Sequence, residues 1–170
     1  FVVQVTGYGE QGERWLVDRY NIRQSLRANE HGECYSIDPA SYPEDWDLLL
    51  SDVFEKSWPL ASSPSKRMRI MAMAVDSGGE DGVTDNAYKF WRKCRRDGLG
   101  KKIFLFKGDS VRRSKLITRT FPDNTDRSTR RAKAAGDVPL YLLQTDALKD
   151  QVNNALWRES PGPNYVHFPK

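Results

Sequence analysis

Two short apolar runs with a helix-length amphipathic stretch between them narrow the fold of this chain more than any other feature. Residues 69–75 and 102–106 read as buried strands, bounded by polar or glycine-rich turns. Between them, over 84–96, Ala87, Phe90, Trp91 and Cys94 recur at helical spacing, and Gly98-Leu99-Gly100 closes the helix. A strand, a helix and a strand in that order predict a parallel pair, because an antiparallel hairpin needs no crossover of that length. A third run, 139–143, is followed by a helical stretch over 145–157, with Thr145 as the expected N-cap.

The N-terminal part reads differently. Residues 2–8 alternate and are rich in valine, Gly9-Glu10-Gln11-Gly12 is a turn by its glycines, and 15–22 reads as a returning strand. Residues 23–42 are polar and irregular, which predicts a connecting loop. Ser41-Tyr42-Pro43-Glu44 then opens a helix, with Ser41 and Glu44 at capping-box spacing and Pro43 in the first turn. Trp46, Leu49, Leu50, Val53 and Phe54 form its apolar face, and it should end near Trp58-Pro59. Residues 61–66 are Ser/Pro-rich and read as a linker. The expected fold class is α/β, a mixed sheet flanked by helices.

Composition excludes several classes of protein. The chain has 170 residues, which suits one domain. No apolar run approaches the roughly 18 residues that would suggest a membrane span. It begins at Phe1 in mid-strand and ends abruptly at Lys170, which reads as a fragment; Phe1-Val2-Val3 opens without a Met or a basic-then-apolar run, so no signal peptide is visible. Two distant cysteines, Cys34 and Cys94, make no disulfide framework, so a reducing cytoplasm is expected. His31 and Cys34 form at most half a zinc site, with no second pair to complete four ligands. Net charge is +4, and nine Lys or Arg against three Asp fall between Lys107 and Lys133.

The stretch Val75-Asp76-Ser77-Gly78-Gly79 carries the most chemical information. A buried strand ends in a carboxylate, and carboxyl ends of parallel strands are where α/β sheets bind ligands. Glycines there permit close approach of a metal or substrate backbone. The competing reading is an ordinary Asp/Gly turn. Glu80, Asp81 and Asp85 crowd the same region: with Asp76, four acids lie within ten residues. Hard divalent cations take such oxygen ligands. A solvated acidic loop, with Asp85 serving the helix dipole, explains Asp81 and Asp85 as well; Glu80 stays open as a group supporting a metal ligand.

These residues resemble a known family. Val75-Asp76-Ser77-Gly78-Gly79 with Thr84 and Tyr88-Lys89-Phe90 looks like the nuclease motif of GpA-type phage terminase large subunits. Phe104-Leu105-Phe106-Lys107-Gly108 fits it too, as does the run Leu140-Tyr141-Leu142-Leu143-Gln144-Thr145-Asp146-Ala147-Leu148-Lys149-Asp150. So do Pro161-Gly162-Pro163 with Val166-His167-Phe168-Pro169, and Gly7-Tyr8-Gly9 with Trp15 and Asp18. The ordered set covers nearly the whole chain.

The resemblance implies an RNase H-like endonuclease that cuts concatemeric double-stranded viral DNA during genome packaging. It implies two Mg2+ or Mn2+ ions held by a few carboxylates, about 4 Å apart and clamping the scissile phosphate. In that fold one acid sits on the central first strand, a second at the end of the fourth strand and a third further on. Asp76 matches the second and is the expected catalytic metal ligand; Asp146 is a further candidate, with helix capping as its alternative. The central strand should precede 1–8 and is not found here. The expectation is therefore a single partial nuclease domain over 1–170, inactive or nearly so alone.

The resemblance also implies a terminase small subunit and a portal as partners, an N-terminal ATPase domain outside this chain, and a bacterial host cytoplasm. No Gly-x-x-x-x-Gly-Lys-Ser/Thr loop occurs, so neither motor activity nor a nucleotide-binding domain is assigned. Lys107 at a strand end is a candidate phosphate contact. The basic insert over 108–136 holds Arg112, Arg113, Lys115, Arg119, Arg127, Arg130, Arg131 and Lys133. It reads as a loop or hairpin lying along a DNA backbone, which positions without reading sequence; a solvated charged loop is the alternative. His167 is expected to be structural. The competing function is a non-catalytic DNA-binding or motor-docking module of the same packaging machine.

Overall fold

The computed structural model describes residues 1–111, 115–122 and 137–169. Strands β1 (Val2–Tyr8) and β2 (Arg14–Asn21) form the expected antiparallel hairpin, with a bulge between Val5 and Thr6. The short strand β11 (Val166–His167) adds to the far side of β2 in parallel, giving the order β1-β2-β11.

The strand–helix–strand unit holds. Strand β7 (Met73–Asp76), helix α1 (Val83–Arg96) and strand β8 (Ile103–Asp109) follow one another, and β7 pairs with β8 in parallel. Strand β10 (Leu140–Gln144) continues the parallel set on the other side of β8. Strand β9 (Ile117–Thr120) pairs antiparallel with β10, so the order is β7-β8-β10-β9. This mixed α/β arrangement is consistent with an RNase H-like fold.

Four local expectations are corrected. Residues 23–42 are not all loop: β3 (Gln24–Ala28) and β4 (Cys34–Ser36) form a hairpin. The linker over 61–66 lies within a second hairpin, β5 (Ser57–Leu60) with β6 (Ser63–Arg69). Its prolines, Pro59 and Pro64, are tolerated because both strands are edges and need no full ladder. The run 69–75 is split, with Arg69 ending β6 and β7 starting only at Met73. The Ser41–Glu44 capping box does not form: Tyr42 precedes the helical stretch without a side-chain cap, and Ser41 instead gives its N–H to Asp38 Oδ1. Pro43 does sit in the first turn, as its missing N–H allows. The stretch winds as a 3-10 turn, Pro43–Asp47, and then as a π turn, Leu50–Phe54.

One core joins these pieces. Trp46, Leu49 and Val53 pack with Phe90, Trp91 and Cys94 from α1, with Val3 and Val5 from β1, and with Met73, Val75, Ile103 and Leu105. Trp46 is 1% exposed and lies 5.8 Å, centroid to centroid, from Phe90. The Trp91 indole N–H donates to the Ile103 carbonyl, which fixes α1 to β8. Both sheets thus share a core without sharing a hydrogen-bonded edge: β1 and β7 are each the last strand of their own sheet. A cleft of about 540 Å³ separates them, lined by residues of both strands and by Leu49 and Val53.

Candidate active site

In β7 the alternation is buried Met73 and Val75 against exposed Ala74 and Asp76. The pleat therefore turns Asp76 away from the core, and Asp76 lines the cleft between β1 and β7. The turn that follows is tightly held. Ser77 is fully buried; its N–H and its hydroxyl both donate to the Phe106 carbonyl of β8, at 2.9 and 3.0 Å. Its own carbonyl accepts the Thr84 hydroxyl of α1 at 2.9 Å. The Gly78 N–H donates to Asp76 Oδ1 at 2.9 Å. That bond orients the carboxylate and leaves Oδ2 without a hydrogen bond from any described residue. A donor oxygen held on rigid backbone and facing a cleft is what a hard cation needs.

Gly82 is required by this geometry, and Gly78 leaves little room for a side chain. A Cβ at Gly78 would lie 3.3 Å from Asp76 Oδ1 and 3.8 Å from Lys107 Cγ. Gly82, which precedes α1, has φ +94°, and a Cβ there would meet the Ala40 carbonyl at 2.6 Å. Lys107, one residue beyond the Phe106 that faces Asp76 in the register, runs its side chain alongside Gly78. Asp76 and Lys107 are thus brought to one edge.

The other candidates are placed differently. Glu80, Asp81 and Asp85 are exposed, with Asp85 in the first turn of α1. Among the described residues no three acids, histidines or cysteines gather as a metal-binding group. Helix α2 (Thr145–Leu156) starts at the end of β10, and Asp146 occupies its first turn. Gln144, not Thr145, precedes α2, and it makes no side-chain cap; the Thr145 hydroxyl reaches back to the Leu143 carbonyl. Asp76 faces Phe106, whereas Gln144 faces Asp109. Two strand spacings and three residues of rise put Asp76 and Gln144 about 14 Å apart at Cα. That separation is for Gln144, two residues before Asp146.

Lys115 is exposed and lies just before Leu116, whose carbonyl accepts the Gln144 N–H. It therefore stands at the same end of the sheet as Asp76, three strand spacings across and four residues of rise further on, or about 19 Å away. Arg119 is on β9, with its guanidinium 5.5 Å from the Phe121 ring. Arg112, Arg113, Arg127, Arg130, Arg131 and Lys133 lie outside the described residues. His167 stacks on Trp15 at 4.6 Å and 2°, within β11.

Sequence reasoning missed Ser77 as the anchor of the turn; the only signal was a small hydroxyl directly after the strand-end acid. It also missed the cleft, which depends on two distant edges.

A model of the endonuclease domain of the terminase large subunit gpA matches residues 1–170. No curated protein and no solved structure matches the chain.

Proposed function

The chain belongs to the family of terminase large subunit gpA endonuclease domains, and from this we propose that Asp76 is a ligand of a divalent-metal centre that hydrolyses double-stranded DNA during genome packaging. The observation that carries the reading is the exposed Asp76 carboxylate at the carboxyl end of β7, oriented by the Gly78 N–H with one oxygen left to give. Oxygen donors of this kind suit Mg2+ or Mn2+. Such ions, when bound, polarise the phosphate, lower the pKa of water and neutralise the leaving 3′-oxygen.

What the chain's own residues do follows from their placement. Ser77 and Thr84 lock the turn, so that Asp76 keeps its direction as DNA arrives. Lys107, beside Gly78, holds a backbone phosphate close to Asp76. Lys115 meets the same strand further along the sheet end; about 19 Å corresponds to roughly five to six nucleotide steps of duplex. The basic insert, with Arg112, Arg113, Arg119, Arg127, Arg130, Arg131 and Lys133, adds contacts that position DNA without reading it. Glu80 supports the metal environment from the loop. Asp146, in the first turn of α2, serves the positive end of that helix.

The remaining acids come from outside residues 1–170. The cleft between β1 and β7 is where an additional central strand would pair with both edges and bring an acid beside Asp76. The terminase small subunit, the portal and an ATPase domain are the partners this role requires, in the cytoplasm of an infected bacterium. The lack of a three-acid group among the described residues favours a second reading, a non-catalytic DNA-binding or docking module.

Manganese titration separates the two. The endonuclease reading expects saturable Mn2+ binding by this chain that Asp76→Asn removes, with little or no cleavage by residues 1–170 alone. Cleavage by this chain that persists fully in Asp76→Ala would overturn it. Absence of any Mn2+ effect would leave the docking module.

A further inference from the structure

A second cleft, of about 330 Å³, lies at the other end of α2 from Thr145. Its walls are Gln151, Asn154, Ala155 and Arg158 on one side, and Arg14 and Asn164 on the other. The helix residues are spaced i, i+3, i+4 and i+7, so one face of α2 and the residues just past it supply them all. Arg14 opens β2 and is fixed by its N–H to the Tyr165 carbonyl, at 2.9 Å. Asn164 is fixed by its N–H to the Gln11 carbonyl, at 3.1 Å.

No carboxylate lines this cleft. Neither Arg14 nor Arg158 has an ion pair or a side-chain hydrogen bond to a described residue. Glu13, the neighbour of Arg14, faces His167 instead, at 3.6 Å. The negative end of α2 works against an anion. Part of that effect is already met, because the Asn153 and Ala155 carbonyls accept the Trp157 and Arg158 N–H groups. Two unengaged guanidinium forks with three carboxamides around one space form a donor-rich site, and forks of this kind match phosphate oxygens in pairs.

We propose that this cleft binds a phosphate group through Arg14 and Arg158. The inference does not depend on Asp76, so it stands or falls separately from the metal reading. Two sources can present that chemistry, a DNA backbone and a free phosphate.

The test is nitrogen–proton NMR on residues 1–170, reading the arginine side-chain N–H signals and the carboxamides. With inorganic phosphate the expectation is saturable shifts of Arg14, Arg158 and Gln151 that Arg14→Gln or Arg158→Gln removes while the rest of the spectrum stays dispersed. Arg158→Lys, which keeps charge but loses the fork, should retain only part of the shift. With a short duplex the same variants should lower the slope of log affinity against log salt by about one, the share of one phosphate contact. Effects in both arms assign the site to DNA; an effect with inorganic phosphate alone assigns it to a free phosphate. No shift in either arm, or shifts that survive both glutamine variants, overturns the proposal. Mn2+ binding should be unchanged in these variants.

Discussion

Asp45 is 1% exposed and gathers most of the polar order around the helical stretch it begins. Its carboxylate accepts from Ser25, from the Arg27 guanidinium at 2.9 Å and from the Asp38 N–H at 2.7 Å. Burial alone pushes its pKa up; the hydrogen bonds from Arg27, Ser25 and Asp38 outweigh burial and hold it below the usual carboxylate value. Asp38 is also held low, by the Ser41 hydroxyl and N–H and by the Ala40 N–H. Folded pKa values below the unfolded ones mean stability that is fully present above about pH 4 and lost as pH falls through the folded values. Asp45→Asn should cost about 2–4 kcal/mol at neutral pH, because it strands partners that remain buried, and should flatten the acid limb of a urea-midpoint-against-pH curve. An unchanged midpoint at pH 7 would remove Asp45 from this role. The two turn glycines give a contrasting pair. Gly82→Ala, with positive φ and a backbone oxygen in the way, should cost about 2 kcal/mol or more. Gly78→Ala should leave thermal stability nearly untouched, yet weaken Mn2+ binding severalfold by displacing the Asp76 carboxylate; calorimetry on both variants checks this.

At the level of elements, what the sequence made legible is what periodicity encodes. The stripe Ala87, Phe90, Trp91 and Cys94 is buried, and α1, β8, β10 and α2 fall close to where apolar runs put them, while β7 takes only the last part of its run. Asp76 at a strand end was legible for the same reason, because a buried run that stops at an acid carries its own direction. The hairpins β3–β4 and β5–β6 were not legible: their residues are mostly exposed, so no apolar alternation marks them, and serine and proline signal loop equally well. The winding of residues 43–54 was hidden too. Trp46, Leu48, Leu49 and Val53 are all buried, a set wider than one face of a regular helix. A tight 3-10 start and a π turn, closed by the Glu55 N–H to the Leu50 carbonyl, accommodate it. The basic insert makes an element-scale prediction. If it lies on DNA, charge reversal at Arg130 and Arg131 should cut affinity and lower the salt slope by about two, and Lys115→Glu by about one more. Affinity indifferent to salt and to these changes would return the insert to a solvated loop.

Across the whole molecule, the two sheets share a core but no strand ladder among the described residues, with the edges of β1 and β7 facing a common cleft. Which amides face it can be worked out. Met73 and Ser77 give their N–H groups toward β8, to the Lys102 and Phe106 carbonyls. Strand alternation then points the Ala74 and Asp76 N–H groups the other way. On β1, Phe1 and Ile22 exchange both bonds, at 2.7 and 2.9 Å. Antiparallel alternation therefore points the Val2 and Gln4 N–H groups into the cleft. Long unpaired edges are a hazard that native sheets cover or pair. A strand laid in this cleft would satisfy both edges at once and merge two sheets into one, with Asp76 at its border. In residues 1–170, hydrogen exchange at Val2, Gln4, Ala74 and Asp76 should be fast while Val3, Met73 and Val75 stay protected. In a longer chain carrying an added strand N-terminal to Phe1, those four amides should become protected together, with a rise in melting temperature and with metal-dependent cleavage. Protection of all four in residues 1–170, or their continued fast exchange in the longer and active chain, would mean that no strand occupies the cleft and that the acids completing the site with Asp76 arrive by another route.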